Sequence, residues 1–555
     1  MPQIPYRANL SAANYPMTIA DGGRTVIVPG LDQNFDRRVD PSGEQKDAGI
    51  PQALYLENVM PTPYGYQSVG YWAPAVAMTV PSGAYIVQCI EIRASFLETI
   101  PSTQTYGVQN LPLFIWSDGS FTTGRAGINT VTFIGDAPDF PLVAQYSIAT
   151  VGDKCYLYAG WFGNNKDLYE VTTTTGGNVT LENVSGDVLP ANFLVDEDIV
   201  SICGTNNYLV CHNNTTAYWS SLLTPTDFTS SLVTGAGQIN PNNANDSIAY
   251  IKETSGGFYA YAANDIIYAQ YTGNARYPFK FAPVIDATGL HAMKRWQIYG
   301  QSDSLGHYII GKNKIIQLLQ DNRATPLAPE VADFMSKTLV QELLNSTTNI
   351  FTSTTVETKV PSIYVYLNRY IIISVNGTND TGLAAENYTH ALVFDTQLRR
   401  YGKLKIDHSF LFSYWVPNEV LGFVNKQNNT IRYLNFDIYG VQTVPFSGLT
   451  AQPHEGALLL GKFQYVRSRV MQMEEIEIEG PQNTAITPSP NFSLVLLPST
   501  DGRNFDTPIP LTPTTVSGGL ATYHTHQTAR NHSLLLKGAF SVNTVQLKFV
   551  PGGER

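Results

Sequence analysis

His524 and His526 are separated by Thr525 alone, and His532 follows close behind. On a strand, alternate residues face the same way, so the first pair could present two imidazoles to one metal ion. No cysteine or carboxylate cluster in the neighbouring sequence completes a ligand set, and the flanks read as loop. The three histidines are therefore expected at the solvent surface. Glu475, Glu477 and Glu479 repeat the same spacing. Paired carboxylates can carry out glycoside cleavage. Here the acids alternate with Ile476 and Ile478, which describes a strand with one wet face and one dry face.

The remaining candidates give no reaction centre either. Cys89, Cys155, Cys203 and Cys211 have no CxxC spacing and lie in strand-like apolar runs such as YIVQCIEI and YLVCH, so buried free thiols are expected rather than a disulfide framework. Asn178, Asn214 and Asn387 open Asn-x-Ser/Thr triplets, read as chance matches in an Asn- and Thr-rich chain. Ser499 to Phe505, STDGRNF, is similar to the Asp-box turn of sialidase propellers, but no residue separates Asp501 from Gly502, and Phe505 stands where a Trp would be. Only Ser117-Asp118-Gly119 echoes it. The arginine cluster and tyrosine nucleophile of a sialidase cannot be assembled, and no phosphate loop, nucleophile elbow or zinc motif is present. No catalytic, cofactor-binding or metal-binding residue is assigned, and an enzyme is not expected.

Composition sets the frame for these residues. The 555-residue chain is 43% hydrophobic and only 14% charged, with 32 Tyr, 44 Gly and 33 Pro. Globular chains average about 25% charged residues. Low charge with many turn formers fits a β protein with large contacts, and the length implies more than one domain. Net charge is −11, and Arg399-Arg400 is the nearest approach to a basic patch, so no sequence-reading nucleic-acid face is expected. The opening MPQIPYRANL lacks the apolar core of a secretory leader, and no apolar stretch approaches membrane-spanning length; synthesis in a cytosol without export by that route is expected.

The strand pattern is clearest between Pro361 and Tyr414. IYVYLNRYIIISVN, HALVFDTQLRRYGKL and SFLFSYW read as one antiparallel sheet of about four strands, the unit of a propeller blade. From Tyr85 onward the same texture recurs about every ten residues, with turns expected at Ser117-Asp118-Gly119, Gly176-Gly177, Thr205-Asn206-Asn207, Ser255-Gly256-Gly257, Asn264-Asp265 and Lys312-Asn313. PEVADFMSKTLVQEL, Pro329 to Leu343, breaks the texture. Val331, Phe334, Met335, Leu339 and Leu343 fall near one stripe, which predicts a helix whose apolar face is packing. The first 50 residues are too polar to fold alone. The expected fold is therefore all-β: residues 1–84 form an extended arm and the first platform strands, 85–445 a β-propeller with one short helix, and 446–555 a sandwich-like β platform.

The order of several stretches resembles the tail nozzle proteins of short-tailed, podovirus-type bacteriophages, also called tail tubular protein B or DNA stabilisation protein. They are NNYLVCHNNTTAYWS, HYIIGKNKIIQLL followed by PEVADFMSKTLVQEL, IYVYLNRYIIISV with HALVFDTQLRRYGKL and its Asp395 to Tyr401 turn, and LVLLPSTDGRNF; ENVMPTPYGYQSVGYW matches loosely. The likeness covers roughly Asn206 to the end. It implies a structural virion protein made in the bacterial cytoplasm and located in the virion tail. It also implies a homo-hexameric ring below the tail adaptor (head-to-tail connector), with fibre or spike and tip or needle proteins as further partners. Viral double-stranded DNA would pass through without sequence-specific binding, for retention and ejection, and no stable membrane insertion is expected. The rival readings are a glycan-binding or glycan-cleaving propeller and a tail spike or fibre subunit. The latter are usually trimers with long repetitive β-solenoid stretches, which this sequence lacks.

Overall fold

Runs of Val, Ile, Tyr and Phe between Asn, Asp and Gly turns become short antiparallel strands in the computed structural model. It describes residues 5–9, 52–62, 65–74, 83–95, 108–123, 129–135, 145–160, 166–173, 179–184, 199–231, 233–240, 246–300, 306–329, 331–336, 339–343, 351–377, 387–415, 419–426, 429–436, 449–463, 470–480, 492–500 and 505–551. Regular structure among them is almost wholly β, in many antiparallel sheets. The turns show why the strands stop where they do. Asn206 and Asn207 sit at φ 48° and 66° between Ser201–Thr205 and Tyr208–His212, and Leu367 and Asn368 at 53° and 49° between Ser362–Tyr366 and Tyr370–Gly377. Two successive positive φ values give the tight turn whose twist matches paired strands.

Seven sheets follow one another along the chain. Leaving aside Thr132–Ile134, which pairs parallel with Val179–Asn183 at the far edge of the second sheet, their first strands are Ile86–Ser95, Gln145–Val151, Ser201–Thr205, Ile248–Thr254, Ile298–Tyr299, Ser362–Tyr366 and Phe410–Trp415, each at one edge of its sheet. From there each next strand pairs with the one before it, up to Leu449–Ala451, which pairs with Gly70–Pro74 instead. Apolar clusters fill the joins between successive sheets: Leu168 and Leu209 between the second and third, Phe258 and Trp219 between the third and fourth, Tyr268 and Ile309 between the fourth and fifth. Ile310 and Ile373 join the fifth to the sixth, and Ile372 and Phe423 the sixth to the seventh. The seventh packs on the first, where the rings of Phe412 and Phe114 meet edge to face at 5.3 Å.

Two further five-stranded sheets pack over one apolar cluster that includes Leu458, Ile476, Leu496, Tyr523 and Leu547. Both ends of the chain build them. Pro5–Asn9 pairs with Thr544–Pro551, and Gln52–Glu57 pairs with Gly456–Phe463. The chain then adds Val59–Pro61 and Tyr66–Ser68 to the sixth sheet, beyond Arg400–His408, and Gly70–Pro74 to the seventh, between Thr430–Asn435 and Leu449–Ala451.

Two expectations need correction. The helix does not run to Leu343: α1 spans Val331–Met335, and Leu339–Leu343 is a strand paired with Phe351–Thr355. Val331, Phe334 and Met335 do face the core. The β-branched Val340 beyond them favours a strand once a partner is at hand. Phe410–Trp415 leaves the sheet of Ser362–Tyr366 and starts the next one. The turn expected at Gly176-Gly177 lies outside the described residues.

The close approach of neighbouring sheets gives a direct test. A Cβ on Gly204 would lie 2.0 Å from the Thr150 carbonyl oxygen on the adjoining first strand. Gly204→Ala must push the second and third sheets apart, and overpacking of this kind costs about 1–3 kcal/mol. A clear fall in the urea unfolding midpoint is expected; an unchanged midpoint would show that the two backbones are not in such contact.

Candidate functional site

First strands sit at sheet edges, so their outward N–H and C=O groups have no ladder partner. Where one edge meets the next, side chains take that role. The Ile202 amide donates to Ser147 Oγ at 2.9 Å and the Ile251 amide to Ser201 Oγ at 3.2 Å, each bond joining one sheet to the next. The Tyr146 carbonyl accepts from Gln88 Nε2 at 3.3 Å and from Arg295 Nη1 at 2.5 Å. Gln88 belongs to the first sheet, and Arg295 to the short 3-10 turn Arg295–Gln297 that leads into the fifth.

Beside these bonds lies a cavity of about 240 Å³, lined by residues of six of the first strands, of that turn and by Tyr388. Its polar wall holds Glu91, Tyr146, Lys252, Glu253, Arg295 and Trp296. Glu91 Oε1 accepts from the Tyr364 hydroxyl at 2.5 Å and from the Ser413 amide at 2.7 Å, so one carboxylate ties the first, sixth and seventh sheets together. Burial pushes the Glu91 carboxyl above its ordinary range, opposed by those two hydrogen bonds, while Tyr364 is pushed up by burial and by Glu91. Burial also weakens the hold of Arg295 on its proton, though a guanidinium stays charged. Lys252 Nζ lies 3.6 Å from Glu253 Oε1. Trp296 Nε1 and Glu253 Oε2 are buried without a hydrogen bond, whereas the Tyr146 ring turns away into the join with Phe121. Such groups carry a desolvation cost that a bound polar partner would remove. The wall is thus fit for binding and orienting a small polar molecule.

The residues singled out in the sequence lie elsewhere. His524 and His526 are exposed on one side of Leu520–Ala529, as strand parity requires, and His524 Nδ1 approaches Glu475 Oε2 at 3.6 Å. His532 corrects the expectation: it is buried, in the other of the paired sheets, opposite Pro498 and Phe463. The three imidazoles are not brought together, and among the described residues no group of His, Cys, Asp and Glu could hold a metal ion. Glu475, Glu477 and Glu479 form the wetter side of Met471–Glu479, Ile476 and Ile478 the buried side, and Glu475 also meets Lys548 at 3.7 Å. All four cysteines are free. Cys155, Cys203 and Cys211 are buried and Cys89 lines the cavity; burial pushes every thiol up, that of Cys155 to about 12.

Other sequence landmarks prove to be scaffolding. Asp118 Oδ1 accepts from the Ser120 amide at 2.9 Å, an ordinary hairpin turn, while Asp501 and Gly502 lie outside the described residues. Asn387 is buried and accepts from Ser409 Oγ at 3.1 Å, which denies it to a glycan; Asn178 lies outside the described residues. Arg400 is 1% exposed, so Arg399-Arg400 is no basic patch. Asp395, wholly buried, receives Arg369 Nη2 at 2.6 Å and the amides of Gln397 and Leu398 at 2.9 and 3.0 Å, which fix the turn before Tyr401. No helix among the described residues is long and apolar enough to cross a membrane.

Comparison with known proteins adds no relative: no protein-family model matches the chain, and no curated protein matches it either.

Glu91 offers a test of the cavity wall. Its folded carboxyl titrates above the ordinary 4.5, so its contribution to stability is complete below about pH 4.5 and is lost as pH rises through the raised value. Glu91→Gln keeps an acceptor for Tyr364 and Ser413 and removes the titration. Its stability relative to wild type should increase as pH rises from 4.5 to 8. Parallel melting curves across that range would show that Glu91 is not held in a desolvated setting.

Proposed function

We propose that the seven sheets are the blades of one β-propeller, that the paired sheets form a platform beside it, and that the chain is a structural virion protein, the nozzle subunit of a short bacteriophage tail. The observation that carries this reading is the sharing of sheets between the chain ends. Residues before 75 supply strands both to the paired sheets and to the last two sheets of the series, which ties the two parts into one unit. The run of apolar joins from sheet to sheet and back to the first supports the propeller. A ring subunit needs such ties because head-to-tail contacts in a closed hexamer bear load from both sides. In this reading the platform surrounds the channel, the propeller faces outward, and the adaptor above and the fibre and tip proteins below are the neighbours. A net charge of −11 suits a passage that DNA must leave, since lasting phosphate contacts would hold it.

Electron microscopy of the assembled particle decides the reading: six copies around an axial channel below the adaptor are expected, and a stable trimer contradicts it. Deleting residues 1–45 removes one edge strand, Pro5–Asn9, from the paired sheets. The truncated chain should fold with nearly unchanged circular dichroism and fail to build complete tails; complete tails from it would refute a role for this segment in assembly.

A further inference from the structure

The cavity enclosed by the first strands has features that a purely structural subunit does not require. We propose that it is a binding site for one small hydroxylated carboxylate of sugar-acid size, held at the hub of the seven sheets. Three observations carry the chemistry. The first is size: about 240 Å³ is below the roughly 300–1,000 Å³ of drug-sized ligand sites and suits a single small molecule. The second is the set of donors. Arg295 gives one N–H to the Tyr146 carbonyl and has further N–H groups on the same planar fork, the geometry that grips a carboxylate. Trp296 Nε1 is a buried donor without a hydrogen bond. The third is the acceptor. Glu253 Oε2 is likewise buried and unbonded, and it can accept a hydrogen bond from a hydroxyl but repels a second carboxylate, so it selects a molecule with an acid at one end and hydroxyls at the other. Lys252, 3.6 Å from the other oxygen of Glu253, keeps that carboxylate from standing alone. Tyr250 and Tyr299 add aromatic wall against which a sugar ring can rest.

The full-length chain is titrated calorimetrically with glucuronate as probe, with glucose as the neutral control and acetate as the carboxylate lacking hydroxyls. Glucuronate should bind and raise the melting temperature, with glucose and acetate at least tenfold weaker. Arg295→Gln should weaken glucuronate at least tenfold. Trp296→Phe, which removes one N–H and keeps the ring, should weaken it severalfold even if Arg295→Gln proves poorly folded. No heat with glucuronate, or binding unchanged in Trp296→Phe and in any folded Arg295→Gln protein, overturns the proposal. Acetate binding as tightly as glucuronate refutes recognition of hydroxyls by Glu253.

Discussion

A backbone edge that faces other edges, with no ladder to complete it, is the constraint on which this structure turns. The first strands set such edges one against the next, and an unmet buried N–H or C=O costs far more than a made hydrogen bond returns. The chain meets the demand with individual side chains. Ser147 and Ser201 each accept an amide from the following sheet, Gln88 and Arg295 converge on the Tyr146 carbonyl, and Glu91 takes an amide from the seventh sheet and a hydroxyl from the sixth. These bonds are directional, whereas the apolar joins are not. They therefore set the register of sheet against sheet, while burial supplies most of the driving force.

The same constraint accounts for the tyrosine content. A tyrosine ring fills a join as phenylalanine would, and its hydroxyl can reach a carbonyl that no strand covers. Tyr158 donates to Ile199 O at 3.1 Å, Tyr259 to Asp321 O at 2.7 Å, Tyr366 to Glu419 O at 2.8 Å and Tyr388 to Val360 O at 2.7 Å. Buried histidines act in the same way. His212 bonds Ser201 Oγ at 2.8 Å and the Asn213 carbonyl at 2.7 Å, and His408 bonds Ser374 Oγ at 2.7 Å and the Ile406 carbonyl at 2.8 Å. Each ring donates to a carbonyl through one nitrogen and accepts a hydroxyl through the other, which is possible only for the neutral form. Burial lowers both pKa values to about 4, consistent with that arrangement.

How much of this was legible beforehand follows from range in sequence. Strands and hairpins were readable because alternation and Asn or Gly turns act over a few residues; the turn at Asn206-Asn207 is an example. The helix was read too long because five apolar residues on a stripe cannot tell a helix from α1 followed by a strand whose partner, Phe351–Thr355, lies further on. His532 was read as exposed because a single imidazole in HSLLLKG carries no sign of which way its strand faces. The cavity was invisible for a stronger reason. Glu91, Lys252, Arg295 and Tyr364 come from four sheets, and nothing local marks them; KRWQ, a basic pair against a tryptophan beside a tight turn, is the only nearby hint.

Joining distant ends has a kinetic consequence as well. The sixth and seventh sheets have their own hairpins, but Val59–Pro61 and Gly70–Pro74 reach them from more than three hundred residues away. Pairing at such separation carries a large loop-closure entropy until the intervening sheets have folded, and contacts of this kind form late. The order that follows is local hairpins, then sheet-to-sheet joins, then insertion of the N-terminal strands. In that last step Gly70–Pro74 must enter between Thr430–Asn435 and Leu449–Ala451, and Gln52–Glu57 must cover the edge of Gly456–Phe463. Until it happens, both edges stay open to pairing with another copy. A protein built this way gains its final cohesion from a segment that buries Leu56 and Val59 under the paired sheets, Met60 and Tyr71 between the sixth and seventh sheets and Trp72 between the seventh and the first, so early release of that segment would open all three joins at once.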